Sequence, residues 1–265
     1  MTTPRRQHLD IVWRPPPMPS DPYERAGGPQ TPRGASARRF AVYLGGGVLS
    51  VAWIVFCGLL WYWALAWVAQ SACAAEPPRA ALEYRADLTR EARAAWGMQA
   101  PVAVMAAQIH QESAWRPDAQ SPYADGLAQF VPATAEWVAE RWPALGGAAP
   151  FNPQWSIRAM ARYDRWLFDR YGAPAATACD QWAFTLSAYN GGQGWLMRDR
   201  AHCREQPVCP GCDSTRWWGH VADHPDPRRA SWAVTENRDY PRRILLQRQP
   251  LYRDWGVMVL CEGAP

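Results

Sequence analysis

The sequence has 265 residues, 48% of them hydrophobic and 20% charged, with a formal net charge of +4. This length suits one folded domain with appendages and is sufficient to bury a core without metals or disulfides. Residues 1–39 hold seven arginines and three acidic residues, which account for the whole net charge. The remainder is neutral overall, which argues against nucleic-acid binding by the folded domain.

The N-terminal segment, residues 1–39, combines its arginines with the run Pro15-Pro16-Pro17 and many turn-forming residues. A segment of this composition has too little apolar surface to offset the entropy lost on ordering. We therefore expect a disordered, basic, proline-rich cytoplasmic tail.

The next segment, residues 40–70, contains no charged side chain. Because ~20 apolar residues span a bilayer as a helix, this segment predicts one transmembrane helix. Arg38 and Arg39 precede it, so the positive-inside rule places the N-terminus in the cytoplasm and the C-terminal domain in the periplasm. We expect a single-pass inner-membrane protein. A cleaved signal peptide is the alternative, although its apolar region spans only ~7–15 residues.

Prolines at 77 and 78 interrupt the apolar segment and predict a linker over residues 71–84. Residues 85–265 then show mainly helical spacing, with one helix placing Val102, Met105, Ile109 and Glu112 on one face. A carboxyl group beside apolar surface has its charged form disfavoured, which raises its pKa. Glu112 is therefore a candidate general acid that stays protonated near neutral pH.

Two later helices are predicted. Ser156 is placed to cap the first, which ends at Gly172, and the second runs from Trp182 to Tyr189. We expect the first helix, including its tryptophan at position 166, to have a packing role only.

Three short motifs follow Glu112-Ser113 along the chain. They are Gly126-Leu127-Ala128-Gln129, Ala188-Tyr189-Asn190 and Glu236-Asn237-Arg238-Asp239-Tyr240. Over roughly residues 98–250, this ordered set resembles the lytic transglycosylases of the soluble-transglycosylase (SLT) type. The pattern of that family is Glu-Ser, Gly-Leu-Met-Gln, Ala-Tyr-Asn and Glu-Thr-Arg-x-Tyr. Ala128 and Asn237 depart from its methionine and threonine, and the loop before Gly126 is one residue short.

The resemblance implies a lysozyme-like fold that is mainly α, of the α+β type. It also implies cleavage of the MurNAc–GlcNAc β-1,4 bond of peptidoglycan with 1,6-anhydromuramoyl ends, without a cofactor or metal. Glu112 would be the only catalytic carboxyl group, acting first as acid and then as base. The residues implied to bind the glycan are Ser113, Gln129, Tyr189, Asn190 and Tyr240.

Alternative interpretations remain open. Asp125 is a turn residue that could also position a water molecule, which would make the protein a goose-type-like lysozyme. Glu236 and Arg238 are interpreted as a structural pair rather than as catalytic groups. A second alternative is a glycan-binding scaffold of an envelope-spanning machine, with secretion, conjugation or phage assembly partners.

The predicted domain contains a cysteine-rich insertion at about residues 198–230. Cys203, Cys209 and Cys212 could hold zinc, but outside the cytoplasm we favour disulfides. Five cysteines lie in the domain, so one is left over or pairs elsewhere, with Cys73 as a candidate. Trp217-Trp218 in the insertion is either a sugar platform or local core. The five cysteines of the predicted domain are Cys179, Cys203, Cys209, Cys212 and Cys261.

Overall fold

The computed structural model describes residues 76–205 and 208–264. The predicted tail at 1–39 and the predicted transmembrane helix at 40–70 lie outside these residues. Within the described ranges, no helix combines the length and apolar character needed to cross a bilayer.

The described residues fold mainly into helices. The α-helices are α1 (Arg79–Trp96), α2 (Val102–Ser113), α3 (Pro132–Arg141), α4 (Pro153–Leu167), α5 (Ala178–Gly191), α6 (Gln193–Cys203) and α7 (Ser231–Arg242). Shorter helical segments lie at Pro143–Leu145, Phe168–Gly172, Val221–Asp223, Arg243–Arg248 and Gln249–Trp255.

Helix α1 begins at Arg79, inside the segment predicted as a linker. It buries one apolar stripe, formed by Ala81, Leu88 and Ala92, and packs against α4. Near its end, the indole N–H of Trp96 donates a hydrogen bond to the carbonyl oxygen of Ala161 at 2.9 Å. Helix α1 therefore supports the element that lies behind the candidate site.

Helix α2 is the central element, and it confirms the helix predicted from the spacing of Val102 to Glu112. It packs between α1 and the C-terminal segments Arg243–Arg248 and Gln249–Trp255. Its apolar residues are almost completely buried. The helix ends at Ser113, because Ala114 and Trp115 adopt the left-handed conformation, with φ of 51° and 67°. Glu112 consequently occupies the last turn.

Helix α4 is capped by Asn152, whose side-chain oxygen accepts hydrogen bonds from two backbone N–H groups of the first turn. The predicted cap, Ser156, is buried within the helix and donates to the carbonyl oxygen of Pro150. Proline stands at the first helical position after Asn152, a favourable combination for helix initiation. The predicted end at Gly172 is correct, because a π-helical turn continues α4 to that residue.

The β part of the expected α+β fold is minimal in the described residues, which contain no extended strand. Asp125 forms isolated antiparallel bridges with Gln120 and Phe130. These bridges shape the loop between α2 and α3, which carries the glycine motif.

Disulfides replace the zinc site considered for the insertion. Cys203 bonds to Cys212, and Cys179 of α5 bonds to Cys261 near the C-terminus. Cys209, also in the insertion, is buried. The preference for disulfides is thus confirmed, and both bonds join parts of the same folded domain.

The two disulfides should differ in their effect on stability. Cys179–Cys261 closes 82 residues, whereas Cys203–Cys212 closes nine. Because the loop-closure entropy of the unfolded chain grows with loop length, the long bond should stabilise the fold by about 2 kcal/mol more. Urea denaturation of the double variants Cys179→Ser/Cys261→Ser and Cys203→Ser/Cys212→Ser measures this difference. An equal or larger loss from the short-loop variant would refute the expectation.

Candidate active site

The candidate acid, Glu112, is partly buried at the end of α2. Its Oε1 atom accepts a hydrogen bond from the hydroxyl group of Tyr240, a buried residue of α7. Desolvation raises the pKa of Glu112 to about 8, and the hydrogen bond from Tyr240 opposes this shift. The value of about 8 also includes the upward effect that a negative charge on Asp164 or Glu236 has on the pKa. Glu112 is therefore an acid that is protonated near neutral pH, with Oε2 available to carry the proton.

The glycine motif forms a loop beside Glu112. Gly126 has φ of 75°, and a Cβ atom there would overlap the carbonyl oxygen of Pro150. Glycine is thus required for the close approach of this backbone to Pro150. Ser113 donates to the carbonyl oxygen of Leu127 at 2.8 Å, and Tyr189 donates to that of Ala128 at 2.7 Å. Two of the predicted site residues therefore fix the loop against α2 and α5.

Two of these contacts differ from the predicted roles. Ser113 is buried, and its hydroxyl group is engaged inside the protein rather than towards substrate. Tyr189, one of the residues implied to bind the glycan, bonds to the loop instead, and Tyr240 is the tyrosine bonded to Glu112. Gln129 is partly exposed, and its amide nitrogen donates to backbone carbonyl groups of the same loop. These two bonds use the amide nitrogen of Gln129 and not its Oε1.

Asn190 lies at the end of α5, where its side-chain oxygen accepts a hydrogen bond from Asn237 at 3.1 Å. Asn237 is completely buried, and its amide nitrogen also donates to the carbonyl oxygen of Ser187. Its oxygen in turn accepts from Ser187, Arg229 and Arg238. The residue that departs from the family threonine is thus the anchor that orients Asn190. This contact uses the side-chain oxygen of Asn190 and not its amide nitrogen.

The expected pair of Glu236 and Arg238 does not form. Arg238 instead contacts the buried carboxylate of Asp199 at 2.7 Å, and Arg229 approaches the same carboxylate at 3.4 Å. The contact of Arg238 holds α7 on α6, so the positioning role predicted for Arg238 has a different partner. Glu236 is exposed, four residues before Tyr240 on the same helix, and its charge reaches Glu112. Glu236 is therefore a second carboxylate that is near enough to Glu112 to raise its pKa.

The sequence interpretation missed one carboxyl group near the site. Asp164 of α4 is completely buried, and its Oδ1 accepts a hydrogen bond from the buried side chain of Gln108 at 3.3 Å. Burial raises the pKa of Asp164 to about 8. The only signal in the sequence was an acidic residue among the buried positions of an amphipathic helix.

The insertion contains a separate cavity of about 410 Å³. Trp217 is completely buried in the core, whereas Trp218 is partly exposed and lines the cavity with Arg242 and Asp239. Residues 239 and 242 lie on a different face of α7 from Tyr240. The cavity is thus separate from the acid, and local core is the interpretation that holds for Trp217.

Fold and site together define a mainly helical domain with a carboxylic acid of raised pKa, a phenol bonded to it and a glycine loop beside it. Residues 89–207 match the family model described as the transglycosylase SLT domain. This match identifies residues 89–207 as similar to a transglycosylase SLT domain.

Two solved structures are similar to the chain. The crystal structure of the 70-kDa soluble lytic transglycosylase SLT70 from Escherichia coli is 23% identical, with a TM-score of 0.43 over 64% of this chain and 24% of that one. The complex of the 70-kDa soluble lytic transglycosylase with bulgecin A is 21% identical, with a TM-score of 0.45 over 67% and 26%. This chain thus spans about a quarter of their length. No curated protein matches it.

Replacing Tyr240 with Phe should raise the pKa of Glu112 above its value of about 8. The hydrogen bond from Tyr240 stabilises the carboxylate form, and its loss leaves only effects that favour the protonated form. A hydrogen bond to a charged group contributes roughly 1.5–3 kcal/mol, so we expect kcat to fall by at least ~10-fold. The alkaline limb of the pH–rate profile for peptidoglycan cleavage should move to higher pH. An alkaline limb at the same pH in both proteins would contradict the hydrogen bond from Tyr240 to Glu112.

Proposed function

We propose that this protein is a membrane-anchored lytic transglycosylase that cleaves the MurNAc–GlcNAc β-1,4 bond of peptidoglycan. The observation that carries the proposal is the Glu112–Tyr240 pair inside a chain that matches the SLT family. A protonated carboxyl group is the group that must donate to a glycosidic oxygen, and burial keeps Glu112 protonated.

The proposed reaction uses one proton carrier in two steps. Glu112 first gives its proton to the glycosidic oxygen, and the bond from C1 of MurNAc to that oxygen breaks. The Glu112 carboxylate, stabilised by Tyr240, then takes the proton of the C6 hydroxyl group of the same sugar. The C6 oxygen bonds to C1, which gives the 1,6-anhydro ring and restores the acid. Because the nucleophile is already part of the substrate, it has the proximity advantage of an intramolecular reaction.

Neutral polar groups near Glu112 are available to orient the sugar. In this proposal the amide nitrogen of Asn190 donates to the N-acetyl group of MurNAc, which stabilises the positive charge developing at C1. The Oε1 atom of Gln129 accepts a hydrogen bond from a sugar hydroxyl group. Gln129 is held by hydrogen bonds from its amide nitrogen, and Asn190 is held by the hydrogen bond to its side-chain oxygen. Both side chains are therefore positioned before substrate binds.

The proposed substrate and the disulfides support a location outside the cytoplasm. Two disulfides are expected of a protein that folds in an oxidising compartment such as the periplasm. We propose that the domain lies in the periplasm and that residues 40–70 anchor it to the inner membrane. Its host process would involve the envelope, with secretion, conjugation or phage assembly as candidate settings.

Hydrolysis is the second candidate function, because Glu236 places another carboxylate on the side of Glu112. Asp125, in the loop before Gly126, is the other residue that could position water. A goose-type-like lysozyme would use one of them to direct water to C1, and its product would carry a solvent oxygen.

Digestion of peptidoglycan in ¹⁸O-labelled water separates the two reactions. The proposed transglycosylase leaves unlabelled anhydromuramoyl ends that are one water lighter than hydrolytic products. Mass spectrometry of the primary products measures both properties. Labelled reducing ends as the main product would reject the transglycosylase, and the variants Asp125→Asn and Glu236→Gln would then show which carboxylate positions the water.

A further inference from the structure

We propose that Asp164 is held as a neutral carboxylic acid in a two-hydrogen-bond pair with Gln108, and that this pair positions Glu112. Asp164 lies on α4 and Gln108 on α2, one helical turn before Glu112. The part of the inference that concerns Glu112 rests on the proposed function, whereas the protonation of Asp164 does not.

The first observation is a matched pair of buried oxygen atoms. The amide nitrogen of Gln108 donates to Oδ1 of Asp164 at 3.3 Å. The other oxygen of each side chain, Oε1 of Gln108 and Oδ2 of Asp164, is buried without a hydrogen-bond partner. Two acceptors cannot satisfy each other, but a proton on Oδ2 converts one of them into a donor. Acid and amide can then form the cyclic pair in which each side chain donates once and accepts once.

The second observation is the electrostatic surroundings of Asp164. In the described part of the chain, this carboxyl group takes part in no ion pair. From α1, the carboxylate of Glu91 faces α4, where it is bound by Arg158 and Arg162 on the outer face. An isolated carboxylate in the interior is unfavourable, and the group binds a proton instead.

Among the described residues, no cationic side chain contributes to the shifted pKa of Asp164. From α2, the groups near Asp164 are Gln108 and Glu112, and the remaining ones are phenols. Burial is the main cause of the raised pKa of Asp164, which the hydrogen bond from Gln108 only partly opposes. The phenols whose pKa its charge would raise are Tyr163, Tyr189 and Tyr240.

The third observation connects the pair to the acid. Residues four apart on a helix lie on the same face, so Gln108 supports the turn that carries Glu112. A negative charge on Asp164 raises the pKa of Glu112. A neutral Asp164 therefore allows Glu112 to ionise after it donates its proton, while the bonds of the pair hold α2 against α4. Asp164 is buried and does not reach substrate, so its role is positioning.

Infrared spectroscopy tests the protonation without using activity. We would compare full-length Glu112→Gln with Glu112→Gln/Asp164→Asn at pH 6, so that the carboxyl group of Glu112 is absent from both. The difference spectrum should contain the carbonyl band of one protonated carboxylic acid. A carboxylate band in its place would overturn the proposal.

Three substitutions test the positioning role. Asp164→Asn keeps the cyclic pair, because two amides can each donate once and accept once, and it should retain kcat/KM within ~3-fold at pH 6. The alkaline limb of the pH–rate profile of Asp164→Asn should move to lower pH, because the negative charge on residue 164 that raises the pKa of Glu112 can no longer form. Asp164→Leu and Gln108→Leu each leave a buried polar group without its partner, and kcat/KM should fall by at least ~10-fold.

The outcomes separate this inference from the proposed function. A folded Asp164→Asn protein without activity would overturn the inference, because Asp164 would then act as a carboxylate. Full activity and an unchanged pH profile in all three variants would overturn it as well. Failure of the proposed function would instead appear as wild-type turnover by Glu112→Gln, and the infrared result would still decide the protonation of Asp164.

Discussion

Replacing Glu112 with Gln should reduce peptidoglycan cleavage by at least ~100-fold while the protein stays folded. The amide has nearly the shape of the acid and still accepts the hydrogen bond from Tyr240, but it has no acidic proton to donate. Release of soluble fragments from purified peptidoglycan measures the effect. The matched control is Glu236→Gln, which removes a nearby negative charge and should change the rate by less than ~10-fold. Similar losses of cleavage rate in both variants would show that Glu112 has no special role in catalysis.

The same substitution has a second, independent consequence for stability. The pKa of Glu112 in the folded protein, about 8, lies above its ordinary value of 4.5. Between these values the folded protein holds a proton that the unfolded chain has released, so stability falls as pH rises from about 4.5 to about 8. Glu112→Gln should remove this contribution and be more stable than wild type at pH 8. Urea denaturation at pH 5 and pH 8 checks the sign.

Replacing Gly126 with Ala should destabilise the protein by at least ~3 kcal/mol and abolish activity. Two costs add at this position. The left-handed φ of 75° is unfavourable for alanine, and the new methyl group would overlap the backbone carbonyl oxygen of Pro150. That oxygen cannot rotate away as a flexible side chain would. The loop that Ser113 and Tyr189 fasten beside Glu112 must therefore move.

Gly146→Ala is the matched control for the loop. Gly146 has nearly the same φ, 76°, but an added Cβ atom meets no atom within 4 Å. Only the conformational cost of about 1–2 kcal/mol should remain, with activity largely retained. Thermal denaturation and activity of the two variants separate strain from overlap. Similar losses in both would show that the approach to Pro150 does not decide the role of Gly126.

The sequence predicted the parts of the molecule that depend on local pattern. The spacing of apolar residues placed Glu112 on the buried face of α2, and that placement is the physical cause of its raised pKa. The end of the helical segment at Gly172 also followed from local rules. The preference for disulfides followed from the expected compartment, although their connectivity did not.

The remaining features depend on contacts between distant segments. Sequence pattern could not show that Tyr240, rather than Tyr189, bonds to Glu112, because both tyrosines follow helical motifs of similar appearance. The partner of Arg238 was wrong for the same reason, since Asp199 lies far away in the chain and near it in the fold. Asp164 was missed because an acid inside an amphipathic helix gives no sign of its partner. Long-range pairing therefore limited the prediction of the site.

Mass spectrometry of peptidoglycan digested by the full-length protein shows whether Glu112 catalyses formation of the anhydro ring. We expect muropeptides with 1,6-anhydromuramoyl ends from the wild-type protein, and none above background from Glu112→Gln. The absence of cleavage by folded wild-type protein, together with retained glycan binding, would contradict the account and favour a scaffold. Cleavage products that are identical for the two proteins would contradict the assignment of Glu112 as the acid.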